Sequence, residues 1–318
     1  MQVSVIIPTR NRPQLLEDTV RSVLGQTRPA HEIIIVDDHS EDKQQPDLDS
    51  LLELSPRLRW LALPAQQGVS AARNAGLEAS TGQAILFLDD DDLLHPCMLD
   101  EMVSVLEREP GVDIVNCGYE MFFTPEGQDP PWPTALLFNY RLLECHPLRL
   151  VDSSNPAPCL EGDPFGSFLR YFIPIHSLLL RRKAIADLRF CENLQQGEDT
   201  FFFLSLASRN CRFHQLQRSL VLIRRHGRNT TRSRRQYVEE IPRFYQRVLE
   251  QKMTTRREDL FLIHLKLAYF AWQRRDSVSW LHALKLVAAP DLLVREAVKF
   301  ATQTLRYRKR LLQYYFHE

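Results

Sequence analysis

Neither a disulfide framework nor a metal-binding thiol pair can be read in this chain. Its cysteines (Cys97, Cys117, Cys145, Cys159, Cys191 and Cys211) are scattered and never form Cys-x-x-Cys. That argues against a zinc site and fits a reducing, cytoplasmic setting. No apolar run approaches the length that crosses a bilayer. The opening Met1-Gln2-Val3-Ser4-Val5-Ile6-Ile7 has no charged leader and enters a strand directly, so no secretory signal is expected. Excess charge is missing too: Lys plus Arg and Asp plus Glu number 40 each, and the balance calls for no polyanionic partner. No Gly-x-Gly-x-x-Gly follows the first strand, which disfavours a dinucleotide-dependent dehydrogenase. Internal repeats and low-complexity segments are absent. What remains, at 318 residues with 44% hydrophobic and 25% charged, is a soluble globular protein of one large domain or two ordinary ones.

The chain is organised around Ala84-Ile85-Leu86-Phe87-Leu88-Asp89-Asp90-Asp91-Asp92. So apolar a run reads as a strand buried on both faces, and the acids then emerge at its carboxyl end, where open α/β sheets place their ligand crevice. Adjacent like charges repel unless a cation sits among them. Oxygen ligands at this spacing suit Mg²⁺ or Mn²⁺ that also holds substrate phosphates. A solvated acidic loop leading into the helix near Pro96 is the plainer alternative.

Strand and helix alternate before that point. Val3 to Ile7 reads as a first strand, followed by the polar turn Thr9-Arg10-Asn11-Arg12-Pro13 and a helix whose apolar residues recur from Leu15 to Leu24. Ile33 to Val36 is a second buried strand, ending in Asp37-Asp38-His39-Ser40. A helix at Leu48–Leu54 and a short strand at Leu58–Ala62 come next. Gly68-Val69-Ser70-Ala71-Ala72-Arg73-Asn74-Ala75-Gly76 then opens a helix with small residues for close packing, its Arg and Asn near the start and aimed at any bound anion. This alternation predicts an α/β domain with a mostly parallel sheet flanked by helices.

Met98–Leu106 reads as a helix and Val112–Cys117 as a strand that Gly118–Phe123 continues. Prolines crowd from Thr124 to Phe165, where periodicity disappears, the mark of a functional or mobile loop. Ile175–Leu180 reads as a strand, and Gly197-Glu198-Asp199 precedes an apolar helix that Asp199 would cap or nearly cap. Leu220–Ile223 is a last strand before an arginine-rich run containing His226. Residues 236–318 read as a separate C-terminal helical region, with helices near 237–252, 257–273, 277–288 and 291–315. The domain boundary is therefore placed at 1–235 and 236–318. Basic and aromatic residues mix over 306–316, a pattern that suits either peripheral contact with an anionic membrane surface or packing against protein.

In this order the pieces resemble the family 2 glycosyltransferases, whose nucleotide-sugar-binding domain has the GT-A fold. The resemblance spans residues 3 to about 233. It implies that Pro8, Thr9, Asn11 and Arg12 form the turn over the nucleotide, that Asp38 accepts a hydrogen bond from the base, and that Arg73 lies near the ribose or diphosphate. Within the acid run, Asp89 and Asp90 are donor-side, with Asp89 on the ribose or a metal-bound water, and Asp91 is a ligand of a divalent metal, Mn²⁺ or Mg²⁺. Asp199 matches the family's general base, with Glu198 orienting it or the acceptor. His226 resembles a residue that joins the metal or diphosphate; a plain surface or core histidine is the alternative.

The implied activity is metal-dependent, inverting transfer of a sugar from a nucleotide-diphosphate sugar to a hydroxyl of a glycan, lipid-linked or protein acceptor, in polysaccharide or glycoconjugate assembly. No nucleic-acid partner is implied. Two rivals stand beside it: a nucleotide-sugar-binding partner subunit without turnover, and a nucleotidyltransferase, which lacks the expected glycine-rich phosphate loop.

Overall fold

The computed structural model describes residues 1–41, 46–123, 160, 162–170, 173–225, 234–273, 285–286 and 289–292. Strands β1 (Val3–Thr9) and β2 (Glu32–Asp37) are buried along their whole length. Their Val and Ile residues suit strands covered on both faces. With β3 (Leu58–Ala62) and β4 (Ala84–Phe87) they form a parallel set in the order β3-β2-β1-β4. Helices α1 (Pro13–Leu24), α2 (Leu48–Glu53) and α3 (Val69–Ala79) make the crossovers. The parallel arrangement expected for this part of the chain is met, and the carboxyl ends of β1, β2 and β4 share one edge. Helix α3 lies so close to β1 that a Cβ at Gly76 would stand 2.4 Å from Ile6 Cγ2.

Beyond β4 the sheet becomes mixed. The elements are β5 (Leu93–Leu94), α4 (Met98–Arg108), β6 (Ile114–Phe123), α5 (Pro164–Arg170), β7 (Leu178–Arg181), α6 (Arg182–Ile185), α7 (Glu198–Ser208) and β8 (Phe213–Arg225). Among the described residues the full order is β3-β2-β1-β4-β7-β6-β8-β5. Strand β7 runs antiparallel to both β4 and β6, β6 is parallel to β8, and β5 is antiparallel to β8.

Two local expectations need correction. The stretch expected as a strand from Ile175 begins with a 3-10 turn, Ile175–Ser177, and the strand starts at Leu178. Ser177 Oγ lies 2.7 Å from Pro174 O and 3.0 Å from Asn116 Oδ1, contacts that a straight strand would not offer its own chain. The last strand, expected at Leu220–Ile223, starts already at Phe213. Polar residues hid its first half: Gln215 is buried because its Oε1 accepts a hydrogen bond from Asn116 Nδ2 at 2.7 Å.

The chain divides into two compact units, Met1–Arg234 and Arg235–Glu318. In the second, α8 (Arg234–Glu250) and α9 (Arg257–Gln273) fall where helices are expected, with Pro242 inside α8. Phe261 packs there with Leu286, Ala289 and Leu292. The proline-crowded stretch lies almost wholly outside the described residues. The basic and aromatic stretch 306–316 is entirely outside them, as are most of the helices expected at 277–288 and 291–315. Among the described residues no helix is long and apolar enough to cross a membrane.

Candidate active site

Strand β4 delivers its acids to the edge where β1 and β2 also end. There the backbone turns, with Asp92 N donating to Asp89 O at 3.3 Å, so the four side chains fan out in different directions. Asp90 points back to β1, accepting from Thr9 Oγ1 at 2.7 Å and Arg12 Nη1 at 3.0 Å. Asp91 accepts from the same Arg12 nitrogen at 3.0 Å. Asp92 accepts from the backbone N–H of Arg224 at 2.7 Å. The Arg224 side chain, 1% exposed, donates to Asp91 O at 3.0 Å and Asp18 Oδ2 at 2.9 Å. An arginine that the sequence groups with an arginine-rich run is thus a buried strut under the acid turn.

Burial pushes the Asp90 carboxyl up to about 6, against the pull of Arg12. Burial, together with the charges of Asp91 and Asp89, holds Asp92 well above the usual carboxylate range. In both groups burial makes the charged form costly, a cost that a nearby cation offsets.

The 3-10 turn before β7 brings His176 to this cluster. Its Nδ1 stands 3.3 Å from Asp92 Oδ2 and 3.9 Å from Asp89 Oδ2. Asp89, Asp92 and His176 each offer a ligand atom, all within 4.8 Å of one another. The imidazole is 3% exposed, and among the described residues neither ring nitrogen has a hydrogen-bond partner. Burial lowers its pKa and favours the neutral ring, the form that binds metals. Buried polar atoms are rarely left unpaired in folded proteins, so an orphaned imidazole facing two carboxylates fits a metal ligand. This trio could hold a metal ion. Asp91, the ligand implied by the resemblance, turns instead to Arg12, and His226 lies outside the described residues.

On the other side of Arg73, Gly197 takes a left-handed φ of 79° as the residue before α7. That places Glu198 and Asp199 in the first helical turn, with Asp199 near the cap position and Gly197 at it. Its Oδ1 accepts from the next backbone N–H, of Thr200, at 2.6 Å. Burial, then the neighbouring Asp199, pushes Glu198 up to about 7 although Arg73 opposes the shift. Burial also raises Asp199, and Arg73 again opposes it. Arg73 itself, 3% exposed, joins the two acid groups: Nη1 donates to Glu198 Oε1 at 2.9 Å and Nη2 to Asp89 Oδ1 at 2.8 Å.

The remaining predicted residues line the turns after β1 and β2. Pro8 is buried opposite Val36. Asn11, with a left-handed φ of 57°, donates its N–H to Ser40 Oγ at 2.9 Å and accepts from Glu41 N at 2.9 Å. Asp38 accepts from the backbone N–H groups of Gln67 at 2.6 Å and Gly68 at 2.9 Å, fixing the approach to α3. Strand pairing thus gathers Thr9, Arg12, Arg73, the acid run and Glu198 into one network. Sequence reading missed His176 and the buried role of Arg224. The one available signal for His176 was a polar pair, His176-Ser177, interrupting an apolar stretch.

Residues 4–150 match the family model described as Glycosyl transferase family 2. An uncharacterized glycosyltransferase of Haemophilus influenzae is 33% identical over 205 residues, 64% of this chain and 70% of that protein. The poly(ribitol-phosphate) beta-N-acetylglucosaminyltransferase TarP of Staphylococcus aureus is 39% identical over 138 residues, 42% of this chain and 40% of TarP. The matched stretch spans 36% to 42% of the length of several such relatives. Among solved structures, S. aureus TarS 1-349 in complex with UDP-GlcNAc superposes with a TM-score of 0.60 at 17% identity, covering 91% of this chain and 79% of that one. That likeness is one of fold, and with it the expected GT-A α/β architecture is met. A relative sharing a third of its residues over most of its length, a family-model match across the acid-bearing half of the sheet, and a common fold agree: the chain belongs to glycosyl transferase family 2.

Proposed function

We propose that this protein transfers a sugar from a nucleoside-diphosphate sugar to a hydroxyl acceptor, with a divalent metal and with inversion at the anomeric carbon. The observation that carries the reading is the pairing of two acid groups through one buried guanidinium: Asp89 on one side of Arg73, Glu198 on the other. One group has the composition to receive a metal and a diphosphate, and the other to receive a hydroxyl. Asp89, Asp92 and His176 would hold the metal; Mn²⁺ suits a set that mixes carboxylate and imidazole, and Mg²⁺ the carboxylates. Asp91 and His226 remain in this reading as the ligands that the resemblance implies. When bound, a divalent cation neutralises charge developing on a diphosphate leaving group.

Pro8, Thr9, Asn11, Arg12 and Asp38 would form the donor's nucleotide end, with Asp89, Asp90 and Arg73 beside the ribose and diphosphate. Asp199 would take the proton of the attacking hydroxyl, its raised pKa making it a stronger base once ionised, and Glu198 would orient it. A base that acts on the acceptor directly, with no side chain attacking the sugar, gives inversion. Donors such as UDP-GlcNAc are favoured as first candidates by the TarS likeness, and a glycan or polyol-phosphate polymer as acceptor by the TarP relationship. Catalysis is assigned to residues 1–235, with 236–318 as a helical appendage that offers the candidate membrane contact.

Thermal unfolding with a panel of UDP- and GDP-sugars, each with Mn²⁺, Mg²⁺ or EDTA, tests the donor half. A ligand that binds only the folded state raises the midpoint, contributing about 2.7 kcal/mol at roughly 100 times its dissociation constant. One nucleotide sugar should stabilise the protein only with metal. Asp199→Asn should keep that stabilisation while turnover falls about 10²- to 10⁴-fold. Should no nucleotide sugar move the midpoint with any metal, the reading is wrong. Should Asp199→Asn leave turnover intact, Asp199 is not the base.

A further inference from the structure

Arg73 and its neighbour Asn74 leave α3 in different directions. The sequence suggests that Asn74 faces an anion, but the structure turns it toward the segment that leads into α7. Its side-chain amide pairs with both backbone polar groups of Phe190: Nδ2 donates to Phe190 O at 3.0 Å, and Phe190 N donates to Oδ1 at 2.8 Å. The same Nδ2 reaches Glu192 Oε1 at 3.0 Å. A side-chain amide that captures a residue's N–H and C=O together acts as a short piece of strand, fixing that residue in two directions.

Phe190 is a wedge. Its ring stacks on Phe202 of α7 with centroids 4.1 Å apart and planes 6° from parallel. Its edge contact with Phe87 of β4 has centroids 4.9 Å apart at 85°. Arg73 lies over its face at 5.4 Å. The ring therefore touches the strand that bears the acid run, the helix that bears Glu198 and Asp199, and the arginine that joins them. Phe190 is 3% exposed, so its place is set from inside the protein.

We propose that Asn74 is a positioning residue for the acceptor side of the site. By clamping Phe190 it sets where α7 begins, and so how far Glu198 and Asp199 stand from the Asp89–Asp92 turn. The inference rests on the glycosyl-transfer reading, in which that separation determines whether the hydroxyl is activated within reach of the sugar. A donor-binding role predicts a different result, because Asn74 then acts on affinity rather than on turnover.

The experiment compares the full-length wild type with Asn74→Ala, Asn74→Asp and Glu192→Ala. One readout is the Kd and kcat for whichever UDP- or GDP-sugar the wild type turns over fastest with Mn²⁺. The other is amide hydrogen exchange over residues 186–203. Asn74→Ala should lower kcat about 10- to 100-fold, the scale of a misplacement near 1 Å, with donor Kd unchanged and exchange faster around Phe190. Asn74→Asp keeps the acceptor for Phe190 N–H but loses the donor to its carbonyl, and should fall between; it decides the matter if the alanine variant does not fold. Glu192→Ala should match the wild type. Unchanged kcat in both Asn74 variants, or a donor Kd that weakens in step with kcat, overturns the assignment. If the wild type turns over no nucleotide sugar, the transferase reading has failed instead, and the exchange data alone decide whether Asn74 holds Phe190.

Discussion

The parallel strands of this sheet carry buried carboxylates at both ends, and the two ends treat them differently. At the amino end, Glu32 accepts hydrogen bonds from Thr81 N at 2.6 Å, Thr81 Oγ1 at 2.8 Å, Ser4 Oγ at 2.7 Å and Arg59 Nη1 at 2.6 Å. Burial alone would raise its pKa, but these donors outweigh it and hold the carboxyl at about 2 against an ordinary 4.5. At the carboxyl end, burial instead wins: Asp90 rises to about 6, Asp92 is held well above the usual carboxylate range, and among the described residues His176 has no hydrogen-bond partner at either nitrogen. A carboxylate supplied with enough donors belongs to the architecture. Carboxylates crowded together beside an orphaned imidazole have the composition that could hold a metal ion.

Substitutions can break this contrast, and the largest effect is expected at His176. His176→Ala should remove most of the metal response: the Mn²⁺ concentration that half-saturates nucleotide-sugar binding should rise by about tenfold or more, measured by titration calorimetry. An unchanged Mn²⁺ requirement would return the metal to Asp91 and residues beyond the described set.

Next comes Glu32→Gln, which leaves the hydrogen-bonding hydroxyls and Arg59 with a poorer acceptor. It should destabilise the fold by about 1–3 kcal/mol at neutral pH in denaturant titrations, with the Mn²⁺ response intact. The same residue sets a pH limb. Its folded pKa is depressed, so its stabilisation is fully present above about 4.5 and is lost as pH falls toward about 2. Acid unfolding of the wild type should therefore be steeper in that window than acid unfolding of Glu32→Gln, and identical profiles would remove Glu32 as a contributor.

Smallest of all should be Arg59→Ala. Its side chain is half exposed, and solvent screening limits the ion pair to about 0–1 kcal/mol despite the short contact.

Local pattern carried much of this molecule. Runs such as Ile33-Ile34-Ile35-Val36 can only be strands covered on both faces, and an acid cluster after such a run must lie at the strand's end. Long-range pairing was not readable. His176 reaches Asp89 and Asp92 because β7 runs antiparallel beside β4, a register that no local periodicity encodes. Arg224 read only as one member of an arginine-rich run, since nothing in its neighbours shows that Asp18 and Asp92 are waiting beneath it. Asn74 was legible as a polar residue near a helix start but not in its direction, because its partner, Phe190, is 116 residues away.

The strut at Arg224 also orders events during synthesis. The acid turn leaves the ribosome early, yet one of its backbone partners is 132 residues behind it in the chain. Nascent chains fold as units from the amino terminus. The parallel strands β1 to β4 can therefore pair before β8 exists, holding repelling carboxylates beside the counter-charges of Arg12 and Arg73. Closure waits for β8 to add itself beside β5 and β6. A nascent chain stopped short of residue 224 would carry the acid turn without the backbone donor that Asp92 meets in the folded protein.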